Sequence, residues 1–566
     1  MSANFRTLVD AFLSASPQMP FITMWSDDDD DCQTVSFGEF IRLAKSQAAN
    51  LQAHGLQSGD RVILVMPQGI PLMAAFAGAM LVGAVPAILA YPNFKVDPDK
   101  YRSGLIGVSK NLQARVIMVD EEFPNELADH LAMPQGGQLL RSSILSLSST
   151  DPHDPRLPDN HPSPEGLAFI QHSAGTTGLQ KGVALSHTSV LTQLDHLATA
   201  LNLSDQDRIY SWLPLYHDMG LIACFMLPLV YHLPIVMQSP MEWVVRPGSM
   251  LQLISDYRCT LSWVPNFALQ FLARRVRQED RSNYDLSTLR ALINCSEPVR
   301  AQSIDEFVAA YEPCGLKPDA LKSSYAMAEN VFAVTQSAIS SAPRRLWVDA
   351  KQFLETQVAA PVSENAAGSL CFVSSGRCLT GNQVRIVSSD GSDVAEYAVG
   401  EIIVKSDSLL DGYYNRSDLS SAVLKDGWYW TGDLGFRGDG ELYVIGRKKD
   451  LIIVAGKNIY PQDIEEIVCR HPAIHDGRAI AFGLYNEDRG TEDIIVAAEL
   501  EDEKEANDIV KIEQAIRNAI VTELDVAPRA IFLKPPAWIV KSTAGKPARS
   551  TTREKLLGEH PELIEG

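Results

Sequence analysis

The sequence predicts an α/β fold, with a large N-terminal domain of layered sheets and helices and a small α+β domain at the C-terminus. Three observations carry this. Over the first ~440 residues, short β-rich runs alternate with amphipathic helical stretches, the pattern of parallel sheets layered with helices. At 566 residues the chain is too long for one ordinary domain and long enough for a large core plus a satellite. The pattern then changes after the turn Arg437-Gly438-Asp439-Gly440. The boundary is placed at 446/447, giving domains 1–446 and 447–566, and the polar junction Arg447-Lys448-Lys449-Asp450 suits a hinge.

Phe37–His54 is amphipathic at helical spacing, and Arg61–Val65 follows as a strand. Ile70–Ala90 is uncharged and long enough to raise the question of a membrane span. Pro71, Gly78, Gly83 and Pro86 interrupt it, so it reads as a buried helix over 71–82, a stop at Gly83 and a buried strand Ala84–Ala90. Ala114–Val119, Leu167–Ile170 and Leu233–Met237 are further strands. In the second region, Leu451–Ala455 and Asp493–Leu500 read as strands, and Gln462–Arg470 and Ala506–Leu524 as helices. The acidic run Asp27–Asp31 reads as a solvated turn.

Composition narrows the function classes. Lys+Arg 49 against Asp+Glu 70 leaves a net charge of −21, which argues against nucleic acid or an anionic membrane as partner. An anionic substrate then needs a local cluster of donors. The eight cysteines are scattered without a C-x-x-C pair, arguing against zinc and for a reduced, cytoplasmic setting. The N-terminus carries no secretory signal pattern.

The run His172-Ser173-Ala174-Gly175-Thr176-Thr177-Gly178-Leu179-Gln180-Lys181-Gly182-Val183 follows a strand. Its glycines can turn backbone N–H groups toward one point, its hydroxyls add donors, and Lys181 adds a charge, a set suited to polyphosphate. It is not the common P-loop, which would need glycine at 180 and a hydroxyl residue at 182, where Gln180 and Gly182 stand. Alone, such a loop is equally a Ser/Gly/Thr surface turn.

Five further strings need a joint explanation: Trp212–Gly220, which contains Tyr216-His217-Asp218; Asn294-Cys295-Ser296-Glu297-Pro298-Val299; Ser324-Tyr325-Ala326-Met327-Ala328-Glu329-Asn330; Tyr429–Gly435, running on to Gly446-Arg447; and Lys541-Ser542-Thr543-Ala544-Gly545-Lys546. Together with the loop, in this order and spacing, they resemble the adenylate-forming, AMP-binding superfamily, and most closely its fatty acyl-AMP ligases. Pro265-Asn266-Phe267-Ala268, Ser375-Gly376-Arg377 and Tyr460–Glu465 look like that branch, as does a segment over 337–370 that sits where those ligases carry an insertion.

The resemblance implies ATP and Mg²⁺ as cofactors and formation of an acyl-AMP from a carboxylic acid. By matching position, Ser173, Thr176, Thr177, Gly178 and Lys181 would hold the phosphates, and Glu329 would ligate Mg²⁺, a hard cation suited to carboxylate and phosphate oxygens. Tyr325 would stack on adenine, with Ala326 beside it and the backbone of Cys295, Ser296 and Glu297 along the base's edge. Asp433 would accept the ribose hydroxyls with help from Arg447. His217 would sit between the acid and the departing pyrophosphate, and Lys546 would be the mobile charge delivered by the small domain, with Lys449 at the hinge. Trp263, Asn266 and Phe267 would line the acyl pocket. Trp263 stands where the ligases commonly have small residues, which implies a pocket narrowed or redirected relative to one for a long straight chain. The acceptor implied is the phosphopantetheine thiol of an acyl or peptidyl carrier protein. A CoA ligase and a nucleotide-binding protein without turnover are the alternatives, and the intact Lys181, Glu329, Asp433, Arg447 and Lys546 speak against the latter.

Overall fold

The computed structural model describes residues 5–26, 32–92, 98–142, 162–173, 181–364, 366–454, 457–487, 489, 491–502, 508–541 and 546–563, with only the backbone of Lys100 and Ser173. The acidic run Asp27–Asp31 and the loop residues Thr176, Thr177 and Gly178 lie outside the described residues.

Two sheets organise the N-terminal part. One is a four-stranded parallel sheet in the order Val85–Ile88, Arg61–Val65, Val116–Asp120, Gln138–Ser142. The other has nine strands. Six of them run parallel, from Pro20–Trp25 through Ile235–Met237, Ile209–Ser211, Leu261–Val264 and Ala291–Asn294 to Leu321–Ala326. Antiparallel strands close both edges. The helices Phe37–Ala53 and Ile70–Leu81 pack against each other so closely that a Cβ on Gly78 would come within 2.7 Å of the Ala44 carbonyl oxygen. Eleven of the twelve residues of Ile70–Leu81 are buried, which explains the uncharged run in physical terms: this helix faces protein on all sides. No described helix is long and apolar enough to cross a membrane.

The alternating pattern did not announce an antiparallel layer that follows the nine-stranded sheet. Asn382–Val387, Gly400–Ser406, Trp428–Gly438 and Glu441–Arg447 pair there in antiparallel fashion. The hairpin Leu167–Ser173 and Lys181–Ser186, joined by the short strand Gly412–Tyr413, brackets the Gly/Thr loop.

The C-terminal region builds a separate domain with its own core. Helices Pro461–Cys469 and Ile509–Leu524 cover a sheet of Ile474–Asn486, Thr491–Leu500 and Ala530–Lys534, burying Ile464, Ile467, Val496, Ile516 and Ile520 together. One side chain in that core comes from far upstream. The segment over 337–370 folds as strand Arg345–Asp349, helix Ala350–Thr356 and strand Ser369–Val373, the two strands paired. Asp349 caps the helix by accepting the Gln352 N–H at 2.7 Å. Leu354 enters the C-terminal core, while Phe353 packs in a cluster with Tyr460, whose hydroxyl donates to Gln357 Oε1 at 2.6 Å.

This clamp makes a testable claim. Leu354→Ala removes a buried side chain whose truncation costs about 2–5 kcal/mol. Amide exchange should speed up in both Ala350–Thr356 and Ile509–Leu524, and faster exchange confined to the first helix would mean that the clamp does not couple them.

Candidate active site

The hairpin that brackets the Gly/Thr loop brings Lys181 to the start of a strand, with its ammonium 4.7 Å from the centre of the Tyr413 ring. Tyr413 lies opposite Val183 on the neighbouring strand, and its hydroxyl donates to Glu329 Oε1 at 2.7 Å. The Tyr429 hydroxyl is 3.0 Å from that of Tyr413. Burial, followed by the Glu329 charge, pushes both phenols well above their ordinary range, so they remain protonated.

Glu329 sits in a tight turn fixed by main-chain bonds. Met327 N–H donates to the Phe332 carbonyl at 2.9 Å, and Leu410 N–H to that of Glu329 at 2.8 Å. The turn forces Val331, buried and β-branched, to φ +61° and ψ −53°, with the Phe332 N–H on the Asn330 carbonyl at 2.6 Å. That is the rare, strained form of γ-turn.

Beside it, the Tyr325 hydroxyl donates to Asp433 Oδ2 at 2.6 Å, and Arg447 Nε lies 3.4 Å from Oδ1. Asp433 and Arg447 face each other across adjacent strands, so the ladder register makes this pair. Burial pushes the Asp433 carboxyl above its ordinary range, against the pull of Arg447 and the Tyr325 hydroxyl, while the nearby Glu329 charge adds to the rise. Ala326 follows Tyr325 at the end of its strand, half-buried.

The third group comes from both domains. Lys546 Nζ donates to the Ser296 carbonyl at 2.6 Å, across 250 positions of chain. Ser296 holds φ +70°, a left-handed conformation, and the buried Cys295 thiol beside it is pushed up to about 12, by burial first and the Asp218 charge second. His217 Nδ1 lies 2.6 Å from Asp218 Oδ1. Burial alone would raise the Asp218 carboxyl, but His217, the Met219 N–H and Lys546 outweigh it and hold it low. Glu297 turns away from this group and accepts the Phe267 N–H at 3.0 Å, at the start of helix Asn266–Arg275.

The residues expected at the acyl pocket divide. Trp263 is fully buried opposite Ile293, and its indole N–H has no partner among the described residues. Phe267 packs edge-on to Trp212 and Trp243, which stack at 3.7 Å. Asn266 is engaged within the fold, donating to Ser303 Oγ and accepting from Asn294 Nδ2 and the Arg300 N–H. Lys449 is in the turn Lys448–Asp450, its ammonium pushed down by burial and then by Arg447, with Lys181 contributing. Cations of the large domain also meet carboxylates of the small one: Arg300 reaches Glu466 at 2.7 Å and Asp463 at 3.5 Å, and Arg274 reaches Asp476 at 2.8 Å.

Sequence reasoning missed Tyr413, Tyr429 and Asp218 as members of these groups. The last two lie inside strings already singled out, whereas Tyr413 is brought to Glu329 by the pairing of Gly412–Tyr413 with Lys181–Ser186 and by the Leu410 N–H on the Glu329 carbonyl.

Residues 11–414 match the family model of the AMP-binding enzymes. The chain belongs to that family. It is 30% identical to the medium-chain-fatty-acid–acyl-carrier-protein ligase JamA of Moorena producens (strain JHB), covering 98% of this chain and 95% of that one. It is 29% identical to a 4-hydroxyphenylalkanoate adenylyltransferase of Mycobacterium tuberculosis (strain ATCC 25618 / H37Rv), covering 97% and 92%. A solved structure from work on fatty acyl-adenylate ligases from E. coli and L. pneumophila superposes with a TM-score of 0.89 at 29% identity over 99% of both chains. Within the AMP-binding enzymes, this chain most resembles the fatty acyl-AMP ligases.

Proposed function

We propose that this AMP-binding enzyme activates a carboxylic acid as its acyl-AMP, releases pyrophosphate, and passes the acyl group to the phosphopantetheine thiol of a carrier protein. The observation that carries the first half is the contact of Lys546 with the Ser296 carbonyl, which puts a small-domain ammonium among His217, Asp218 and Cys295 of the large domain. Attack of a carboxylate on the α-phosphorus of ATP joins two anions, so the reaction needs fixed positive charge where charge develops. Lys546 fills that role, Lys181 and the hydroxyls of Ser173, Thr176 and Thr177 hold the phosphates with the Gly178 backbone, and His217 separates acid from pyrophosphate. Asp433 and Arg447 take the ribose and Tyr325 the adenine, beside Ala326 and the main chain of Cys295, Ser296 and Glu297. Glu329 suits Mg²⁺: it is a carboxylate with one oxygen already held by Tyr413, next to the phosphate-binding lysine. Bound there, Mg²⁺ supplies charge neutralisation on the phosphates.

The reading also takes residues 447–566 as a unit that turns about Lys449, first presenting Lys546 and then clearing a path for the thiol. Lys546→Ala should lower acyl-AMP formation by ~10²–10³ or more while ATP still binds. Near wild-type pyrophosphate exchange in that variant would refute the role.

Trp263 and Phe267 are assigned to the acid's pocket, with Asn266 supporting it through its bonds to Ser303, Asn294 and Arg300, and the indole favours a shorter or differently shaped acid than a long straight chain. The relative named for 4-hydroxyphenylalkanoates supports aromatic acids as candidates. Trp263→Gly should widen the range toward longer or bulkier acids in a pyrophosphate-release screen, and an unchanged profile would move Trp263 out of the pocket.

The carrier protein as acceptor rests on the clamp of residues 337–370, which ties Leu354 into the small domain and resists a rotation productive with free CoA, and on the relative named as a carrier-protein ligase. A carrier protein brings binding energy from its own surface and can select a rarer arrangement. Supplied with ATP and a good acid, the enzyme should load phosphopantetheinylated carrier proteins and leave CoA unacylated. Rapid acyl-CoA formation with no loaded carrier would establish a CoA ligase instead.

A further inference from the structure

No motif singled out in the sequence accounts for what Tyr413 touches. We infer that Tyr413, backed by Tyr429, is a positioning residue for the metal site: its hydroxyl fixes one oxygen of Glu329 and leaves the other to Mg²⁺, while its ring seats the Lys181 ammonium. This rests on the reading of Glu329 as the magnesium ligand.

A count of protons gives the hydroxyl pair a direction. An ionised carboxylate only accepts, so the single proton of Tyr413 goes to Glu329 Oε1 at 2.7 Å. The proton in the 3.0 Å contact between the two phenols therefore belongs to Tyr429. The result is a relay from Tyr429 to Tyr413 to Glu329, a charge-assisted chain whose links strengthen one another, with the Tyr429 hydroxyl also within the reach of Glu329. Tyr413 and Tyr429 are 3% and 5% exposed, which withdraws the phenol–phenol contact from water, while Glu329 is half-buried.

Such a relay matters because Mg²⁺ demands near-ideal geometry and gives up its waters reluctantly, so a carboxylate free to rotate is a poor ligand. Groups that orient a ligand in this way are typically worth ~10–100-fold in metal affinity. The backbone ties the same tyrosine to both partners. Gly412–Tyr413 pairs with the strand that Lys181 begins, and Leu410 N–H donates to the Glu329 carbonyl at 2.8 Å. The phosphate-binding cation and the metal carboxylate are thus spaced by one phenol.

The test uses Mn²⁺ as probe, titrated by electron paramagnetic resonance into the full-length protein with ATP, against ATP alone. Tyr413→Phe keeps the ring and deletes the donor. It should weaken Mn²⁺ binding ~10-fold or more and raise the Mg²⁺ needed for half-maximal pyrophosphate exchange by a similar factor. The rate at saturating Mg²⁺ should stay within about threefold of wild type, a split between binding and turnover that general loosening would not produce. Tyr429→Phe should act in the same direction by less, and serves if Tyr413→Phe does not fold. Tyr413→Leu, which also removes the ring, should lose ATP affinity measured without metal. Wild-type Mn²⁺ affinity in Tyr413→Phe, with Glu329→Gln weakened, would overturn the inference alone. Wild-type affinity in Glu329→Gln would instead remove Glu329 as the ligand.

Discussion

Much of the candidate site depends on one hydrogen bond between domains, from the Lys546 ammonium to the Ser296 main-chain oxygen at 2.6 Å. A lysine so close to the C-terminus has no reason to meet residue 296 unless the small domain rests on the large one in this orientation. Neighbouring ion pairs agree with that orientation, since Arg274 and Arg300 each reach carboxylates of the other domain. Arg300 is only one-quarter exposed, so its pairing with Glu466 is screened less than a surface pair would be. An acidic molecule thus places its cations where two negatively charged bodies must meet.

The same economy of charge operates in the cleft. Asp433 and Glu329 lie close enough to perturb each other, and these two and Asp218 each have a donor of their own: Tyr325 with Arg447, Tyr413, and His217 with the Met219 N–H. Buried carboxylates persist when their oxygens are occupied, because an unpaired charge in low dielectric is the costly alternative. The strained Val331 turn fits this picture, since it holds Glu329 where the Tyr413 hydroxyl can reach it.

Strands and helices of the parallel layers were legible because their signal is periodic and local. Arg61–Val65 appears unchanged, and the helix read over 71–82 occurs as Ile70–Leu81. The antiparallel layer was not legible, because Asn382–Val387 and Gly400–Ser406 are partnered by register rather than by any spacing along the chain. Among site residues, motif strings brought Asp433 and Arg447 into view together, and the ladder sets them opposite each other. Asn266 belonged to such a string too, yet its amide serves the local fold, for a string does not say which way a side chain hydrogen-bonds. Tyr413 stayed hidden because its role is created by strand pairing with Val183, 230 positions away, and by a side-chain hydrogen bond to Glu329 across 84.

The helix Ile70–Leu81 carries a consequence for how the chain acquires its shape. With every face apolar, it has no orientation that satisfies water, and isolated helices of twelve residues are marginal in any case. Its lining comes from Phe37–Ala53 and from core residues as distant as Phe169 and Phe225, the rings of which lie 5.6 and 6.3 Å from Phe76. A nascent chain therefore leaves part of this segment unlined until Phe225, 149 positions beyond Phe76, has been synthesised. Assembly of the two sheets around it is a late and cooperative step, and a chain cut between them presents a sticky surface to chaperones or to its own copies.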